Sequence, residues 1–216
     1  FNDTATTEIY TPQNTLSLHD ALPIYASVGQ VCFLGQDVRK YRRKELRDQI
    51  GIVPQKAVLF AGTVRENMQW GKKDATDEEI WEALKTAQAE EFIRAKEGGL
   101  DANIEQGGRN LSGGQRQRLT IARALVKKPR VLILDDSASA LDYATDAALR
   151  KAIRQMEGAP TVFIVSQRTS SLMSADRILV LDDGEATGYG THEELLKNCQ
   201  TYREIYNSQY GKKEEA

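Results

Sequence analysis

The 216-residue chain is poor in several features that mark particular classes of protein. Its two cysteines, Cys32 and Cys199, lie far apart and outside any CxxC or metal-ligand spacing. We therefore expect two reduced thiols in a cytosolic domain and no disulfide framework. No apolar run approaches the ~20 residues that a bilayer-spanning helix needs, so membrane residence would require another segment or chain. A net charge of -2 argues against a nucleic-acid-binding surface.

What the chain does contain is an alternation of strand and helix patterns. With 40% hydrophobic and 28% charged residues, it can bury a core and stay soluble. Continuous apolar runs predict buried strands, covered on both faces, and longer periodic segments between them predict helices. A hairpin is expected at the sheet edge near the C-terminus. The pattern predicts a largely parallel α/β sheet with a mostly helical subdomain inserted at about residues 56–127. The principal strands are predicted at Ile50–Val53, Val131–Leu134, Thr161–Val165 and Ile178–Leu181, and the longest helices at Gly114–Lys127 and Ala144–Met156.

The most informative stretch is the pentapeptide LSGGQ, formed by Leu111, Ser112, Gly113, Gly114 and Gln115. Ser112 and Gln115 have the spacing of a capping box, which would explain the motif by helix initiation alone. The two glycines also allow an anion to approach the helix N-terminus, where free N–H groups and the helix dipole favour phosphate. The pentapeptide by itself leaves both interpretations open.

The longer run GGQRQRLTIARAL, followed by the acidic strand end VLILDD, resembles the ATP-binding cassette (ABC) ATPase family. The resemblance extends from about Gly29 to the end of the chain. It implies a P-loop NTPase-like ABC ATPase core with an inserted helical subdomain, and ATP and Mg²⁺ as cofactors. In this family, LSGGQ faces the ATP that is held by a partner domain.

The resemblance also assigns roles to residues at the strand ends. Asp135 would hold magnesium through water, although a lone aspartate after a strand is often a turn or capping residue. Gln55 matches the Q-loop glutamine, which senses the metal and the γ-phosphate and couples to the membrane domain; alternatively it is a surface residue beside Pro54. Ser139 and Asp142 belong to SALD, the family's D-loop at the interface between two cassettes, which could also be a simple helix-capping turn.

Two catalytic positions depart from the family pattern. Asp136 stands where active members usually carry a glutamate that orients or deprotonates the attacking water. Gln167 stands where the switch histidine is usual, and glutamine can donate a hydrogen bond but cannot carry a positive charge. Neutral drift within a working enzyme is the alternative. We favour a site that binds ATP and hydrolyses it slowly, because both changes affect one mechanism.

A third departure is the missing phosphate-binding loop, since the sequence contains no match to GxxxxGK[ST]. The run TLSLHDALPI at Thr15–Ile24 matches one reading frame of a widely used sequencing adapter. We therefore expect residues 1–25 to be an assembly artefact joined to a truncated gene, and residues 26–216 to form the ABC domain. A genuine polar N-terminal arm is the alternative.

The segment Leu59–Asn67 resembles the strip that exporter-type cassettes present to their membrane domains, although an ordinary loop and helical turn would look similar. Glu105–Gly108 matches the exporter X-loop, with Gln106 where an acidic residue is usual. The resemblance thus implies the ATPase domain of an exporter for a drug, lipid or peptide, at the cytoplasmic face of the plasma membrane. Its partners would be a transmembrane domain and a second half-transporter in a heterodimer, with no nucleic acid. The alternatives are a non-catalytic, nucleotide-binding-deficient fragment and a soluble ABC ATPase of DNA repair or translation.

Overall fold

The computed structural model describes residues 29–137 and 140–210. The predicted artefact at residues 1–25 and the D-loop residue Ser139 lie outside the described residues. The strands are β1 Cys32–Phe33, β2 Gln36–Asp37, β3 Ile50–Val53, β4 Gly62–Thr63, β5 Asn103–Ile104, β6 Val131–Asp135, β7 Thr161–Val165, β8 Ile178–Asp182 and β9 Glu185–Gly190. The helices are α1 Arg43–Asp48, α2 Val64–Gln69, α3 Asp77–Thr86, α4 Glu90–Arg94, α5 Gly113–Leu125, α6 Tyr143–Arg154, α7 His192–Asn198 and α8 Gln200–Tyr210.

The chain divides into two compact units, and the larger one, Lys44–Val165, is built on a parallel sheet. Its strand order is β3-β6-β7, with Ile52 opposite Ile133 and Ile133 opposite Phe163. Parallel neighbours require long crossover connections, and here the connections carry helices. The predicted α/β class with a parallel sheet is therefore observed.

One face of this sheet packs into a continuous hydrophobic core. Val53, Leu132 and Leu134 are buried there together with apolar residues of α5 and α6. The C-terminal end of α5 lies very close to β3. A Cβ atom added to Gly51 would stand only 3.0 Å from the carbonyl oxygen of Ala124. Glycine at position 51 is thus required by close packing between helix and strand.

The opposite face of the sheet is only half-buried, which corrects the expectation that the strands are covered on both faces. Val131 and Ile133 alternate with the buried leucines of β6, and their neighbours Ile52 and Phe163 are also partly exposed. Successive side chains of a strand point to opposite faces, so the two faces can differ within one apolar run. A continuous apolar run in the sequence therefore does not show whether one face of the sheet is covered or both.

Two short helices between β3 and β6, α2 and α3, begin at side-chain caps. α3 begins at a capping box, in which the Thr76 hydroxyl accepts from the Glu79 N–H and the Glu79 carboxylate accepts from the Thr76 N–H. α2 begins at a second capping box, formed by Thr63 and Glu66. These helices pack into the same hydrophobic core as the sheet. The boundaries of a helical subdomain at residues 56–127 stay a prediction.

The smaller unit contains described residues 29–43 and 166–210 and has its own small core. The predicted hairpin is present as β8 and β9, but it forms a separate two-stranded sheet and does not extend the parallel one. Its apolar side packs against α7 and α8 through Val180, Leu195 and Tyr202. Both cysteines are free thiols, as predicted. None of the helices in the described ranges has the length and apolar character of a bilayer span.

Candidate functional site

Two of the predicted site residues, Gln55 and Asp135, lie at the carboxyl end of the parallel sheet. Asp135 is the last residue of β6 and pairs with Val165 of β7. On the other side of β6, Val53 of β3 pairs with Leu134, and the exposed Gln55 follows two residues later. Loops at the carboxyl ends of parallel strands are the usual position of ligand sites in open α/β sheets.

The carboxylates of Asp135 and Asp136 create a local excess of negative charge. Burial raises the pKa of Asp135 above its ordinary value, and the charge of the neighbouring Asp136 raises it further. The backbone of Asp136 is in the left-handed region, with φ 41°, and its N–H donates to the Val165 carbonyl at 2.8 Å. Aspartate adopts this conformation more readily than most residues. The turn therefore fixes both carboxylates at the strand end.

This charge arrangement fits a magnesium ion that takes most of its ligands from elsewhere. Among the described residues, no cluster of three or more His, Cys, Asp and Glu side chains could enclose a metal. Magnesium characteristically keeps several waters and binds through one or two carboxylates plus substrate phosphates. Asp135, with Gln55 at the same edge of the sheet, could supply the protein's share of such a site.

The LSGGQ motif forms the N-terminus of α5, and its capping box is observed. The Ser112 hydroxyl accepts from the Gln115 N–H at 3.2 Å, and the Gln115 side-chain oxygen accepts from the Ser112 N–H at 3.0 Å. The N–H groups of Gly113 and Gly114 belong to the first turn, where the helix provides no acceptor. The capping box and an anion-binding role are thus compatible, since they use different N–H groups.

Two contacts fix the position of this motif in the larger unit. The Arg116 guanidinium donates to the carbonyl of the buried Leu111 at 2.7 Å. A Cβ on Gly114 would lie 3.1 Å from the Ala140 carbonyl, so the D-loop segment packs against the first turn of α5. A Cβ on Gly113, by contrast, would meet only the tip of Arg116 at 3.9 Å. Gly113 therefore has open space beside it and Gly114 has none.

Asp142 caps α6, as the simpler interpretation of SALD predicted. Its carboxylate accepts from the Thr145 N–H at 2.9 Å and from the Thr145 hydroxyl at 2.7 Å. The bond from the Thr145 N–H is the main cause of the lowered pKa of Asp142. The cap holds the D-loop segment in place beside α5 and does not conflict with a role at an interface.

Gln167 is exposed and belongs to the smaller unit, whereas the other predicted site residues that the structure describes belong to the larger one. It precedes a short 3-10 turn at Thr169–Ser171. The backbone around it is bonded by the side chain of Gln209 on α8. Sequence reasoning missed Gln209, because no local pattern links positions 167 and 209.

Phe60 of the predicted exporter strip Leu59–Asn67 and the neighbouring Trp70, at the end of α2, are exposed to solvent. Phe60 and Trp70 are 40% and 69% exposed, and their ring centroids are 4.8 Å apart. The Arg123 guanidinium lies over the Phe60 ring at 5.6 Å, and its buried nitrogen Nη1 has no hydrogen-bond partner among the described residues. We call Phe60, Trp70 and Arg123 the aromatic patch. An open pocket of about 640 Å³ beside it is lined by Ala61, Glu66, Gln69, Trp70 and Lys73.

The polypeptide around the aromatic patch is well fixed. Buried Asn67 accepts from the Phe60 N–H at 3.0 Å and donates to the carbonyls of Phe60 and Thr63 at 2.9 and 3.0 Å. In the predicted X-loop, the Gly107 N–H donates to the Leu59 carbonyl at 3.0 Å. The X-loop segment is thus bonded directly to the strip.

Comparison with known proteins identifies relatives of one kind. The family model described as "ABC transporter" matches residues 19–139. An uncharacterised ABC transporter ATP-binding protein of Mycobacterium tuberculosis is 45% identical over 186 residues, covering 85% of this chain and 32% of that protein. The protein YheI of Bacillus subtilis, described as a probable multidrug resistance ABC transporter ATP-binding/permease protein, is 45% identical and covers 84% of this chain and 31% of its own length.

The structure also resembles a bacterial Atm1-family ABC exporter that was solved with ATP bound. The TM-score is 0.79 at 36% identity, covering 85% of this chain and 32% of the exporter chain. These matches confirm the predicted ABC ATPase fold class and the predicted resemblance to exporters. The chain spans about a third of the length of the curated relatives it matches.

Proposed function

Since the chain belongs to the ABC transporter family, we propose that it is the ATP-binding and hydrolysing domain of an exporter. ATP binding and hydrolysis here would drive the export of a drug, lipid or peptide across the plasma membrane, with the domain on the cytoplasmic face. The relative described as a multidrug resistance transporter and the Atm1-family exporter structure support the exporter assignment. The observation that carries the proposal is the ordered LSGGQ helix start beside the D-loop segment.

Two cassettes would dimerise and enclose ATP between them. The first turn of α5 would approach the nucleotide of the partner domain, with the N–H groups of Gly113 and Gly114 directed at its γ-phosphate. Asp142 and Ser139 of the D-loop would lie at the same interface. The contact between Gly114 and Ala140 supports this, because it fixes the D-loop segment beside the signature helix.

The chain's own nucleotide face would form the weak site of a heterodimer. Asp135 would hold magnesium, with Gln55 as a further polar ligand and sensor. Asp136 would act on the attacking water and Gln167 on the γ-phosphate. The Asp136 side chain is one methylene shorter than glutamate, and a displacement of about 1 Å can lower a rate ~10²-fold. The signature would therefore serve a fast site, while Asp136 and Gln167 would serve a slow one.

The aromatic patch would receive a helix of the transmembrane domain. Large apolar side chains exposed together on a surface mark interaction sites. Aromatic and arginine side chains are also those that dominate binding energy at interfaces.

The proposal is tested by two substitutions in the transporter that carries this chain. Gly113→Asp is expected to reduce ATP turnover at least ~10²-fold, because a carboxylate would occupy the phosphate position. The fold should tolerate it, since the space beside Gly113 is open and a negative charge is favourable at a helix N-terminus. Asp136→Ala is expected to leave at least about half of the turnover, because the partner's site would carry it.

Steady-state ATPase assays on both variants, with thermal unfolding as the folding control, decide between the outcomes. If Asp136→Ala abolishes turnover as completely as replacing the partner's catalytic glutamate, the weak-site assignment is wrong. If Gly113→Asp leaves turnover unchanged, the motif is only a helix cap.

A second candidate is a non-catalytic fragment with little affinity for nucleotide. Two observations favour it: the sequence has no GxxxxGK[ST] match, and one face of the parallel sheet is half-exposed. Thermal unfolding of the chain with and without magnesium-ATP separates the two candidates. A ligand-dependent rise in the midpoint would exclude the fragment interpretation, since a ligand stabilises the state that binds it.

A further inference from the structure

The side chain of Gln209, near the end of α8, bonds to the segment that contains Gln167. Its amide nitrogen donates to the Gln167 carbonyl at 2.7 Å. Its oxygen accepts from both the N–H and the hydroxyl of Thr169, each at 3.0 Å. A single side chain thus contacts the backbone on both sides of Arg168. We call this set of three hydrogen bonds the Gln209 clamp.

The clamp completes the hydrogen bonding of a short irregular segment. The Arg168 N–H donates to the Ser166 hydroxyl at 3.0 Å, and the Arg168 carbonyl accepts from the Ser171 N–H at 3.1 Å. These local bonds leave the Gln167 carbonyl and the Thr169 N–H to Gln209. Backbone groups in irregular segments need such partners, because a chain outside helices and sheets supplies few of its own.

Both ends of the clamp are anchored in the smaller unit. Thr169 is 2% exposed, so the clamped backbone is attached to a buried residue. α8 is held by buried Tyr202, whose hydroxyl lies 2.8 Å from Nδ1 of His192 on α7. Gln209 therefore extends from a fixed helix to a fixed turn, while Gln167 itself is exposed and directed by its backbone.

We propose that Gln209 is a positioning residue for Gln167, through which the C-terminal helix α8 sets the orientation of the γ-phosphate-contacting side chain. The role of Gln167 rests on the proposed function; the clamp itself is a feature of the fold. In this proposal Gln209 acts through Gln167 and makes no contact of its own with the nucleotide. Replacing Gln209 should therefore change the affinity for ATP, which has the γ-phosphate, and not the affinity for ADP, which lacks it.

The first test measures the clamp without nucleotide, by amide hydrogen exchange of Thr169 in the full chain. Gln209→Ala should accelerate this exchange about fivefold, the factor expected for one hydrogen bond. Alanine is a good helix former, so α8 should persist at this exposed position. Gln200→Ala is the matched control, because Gln200 lies on the same helix and its side chain donates to Glu204 of that helix, not to the Gln167 segment. Unchanged Thr169 exchange in Gln209→Ala would overturn the clamp.

The second test measures dissociation constants for magnesium-ATP and magnesium-ADP in the transporter that carries this chain. Gln209→Ala should reduce the preference for ATP about fivefold while leaving ADP affinity unchanged. Gln209→Glu should keep the Thr169 amide protected, since a carboxylate still accepts, but should reduce the ATP preference as Gln209→Ala does, since it cannot donate to the Gln167 carbonyl. A merely structural residue would weaken both nucleotides equally, and that result would overturn the positioning role.

The two tests separate failure of this inference from failure of the proposed function. If the wild type does not distinguish ATP from ADP, Gln167 has no γ-phosphate role and the positioning role fails with it, whatever the exchange result. If the wild type prefers ATP to ADP and Gln209→Ala keeps the same preference, only the positioning role of Gln209 is wrong.

Discussion

The N-terminal end of α5 and the carboxyl end of β6 belong to the same compact unit but are held together differently. The α5 end is shaped by bonds between near neighbours, such as Ser112 with Gln115 and Arg116 with Leu111. The β6 end is placed by pairing with β3 and β7, which come from distant parts of the sequence. The first end is thus a largely self-contained motif, whereas the second depends on the whole sheet.

The two ends also differ in charge. At α5 the helix dipole and the free N–H groups favour an anion. At β6 burial raises the pKa of Asp135 and the charge of the adjacent Asp136 raises it further, so a cation would be favourable there. A nucleotide with its magnesium needs both kinds of environment. In the proposed dimer they would come from two different cassettes, with this domain lending one end to its partner and using the other itself.

The largest expected effect is on the free energy of unfolding, and it shows whether α5 and β6 are rooted in one hydrophobic core. Leu119 of α5 and Leu132 of β6 are both fully buried in the same cluster. Leu119→Ala and Leu132→Ala should each lower the free energy of unfolding by about 2–5 kcal/mol, through lost burial and a residual cavity. Urea unfolding monitored by circular dichroism measures this. A loss at Leu119 of under about 1 kcal/mol would mean that α5 is not rooted in the core.

A smaller effect is expected from the helix cap itself. Ser112→Ala removes the acceptor for the Gln115 N–H and should cost about 1 kcal/mol of stability. Ser112→Thr is the control, because threonine retains a capping hydroxyl. Equal unfolding free energies for Ser112→Ala and the wild type would show that the motif does not depend on its capping box.

The smallest effect concerns the β6 end and its pH dependence. The pKa of Asp135 is raised in the fold, so its ionisation opposes folding as pH rises above the ordinary value of 3.8. Asp135→Asn should therefore raise the melting midpoint at pH 7 by about 1–2 °C, a small gain because solvent screens a half-exposed carboxylate. The gain should disappear below about pH 4, where the carboxyl is neutral in both states.

Calorimetric scans at pH 7 and pH 3.5 measure this difference. Asp142→Asn is a useful contrast, because the pKa of Asp142 is lowered and its carboxylate stabilises the fold above its ordinary pKa. A destabilised Asp135→Asn at pH 7 would mean that another group already compensates the charge of Asp135.

Much of the secondary structure could be predicted from local patterns. β3 and β7 have the predicted bounds, and α5 begins at Gly113, one residue before the predicted start. The capping box indicated by the spacing of Ser112 and Gln115 is also present. Strand runs, caps and helical periodicity depend on residues within about four positions of each other, so the sequence displays them directly.

Some features of the site could not be predicted in this way. No local pattern indicates the left-handed backbone of Asp136. The contact of Gly114 with Ala140, and the bonds that Thr169 donates to Gln209, involve residues far apart in the sequence. The half-exposed sheet face was missed because an apolar run looks alike whether one face or both are covered.

The sequence by itself determined the elements of this protein and the identity of its motifs, because caps, strand runs and LSGGQ are short and local. Only the tertiary structure decided the strand order β3-β6-β7, the separate sheet of β8 and β9, and the attachment of the Gln167 segment to α8. These features depend on contacts between residues far apart in the chain. Such contacts form only when burial of apolar surface compensates the entropy lost in closing the intervening loops.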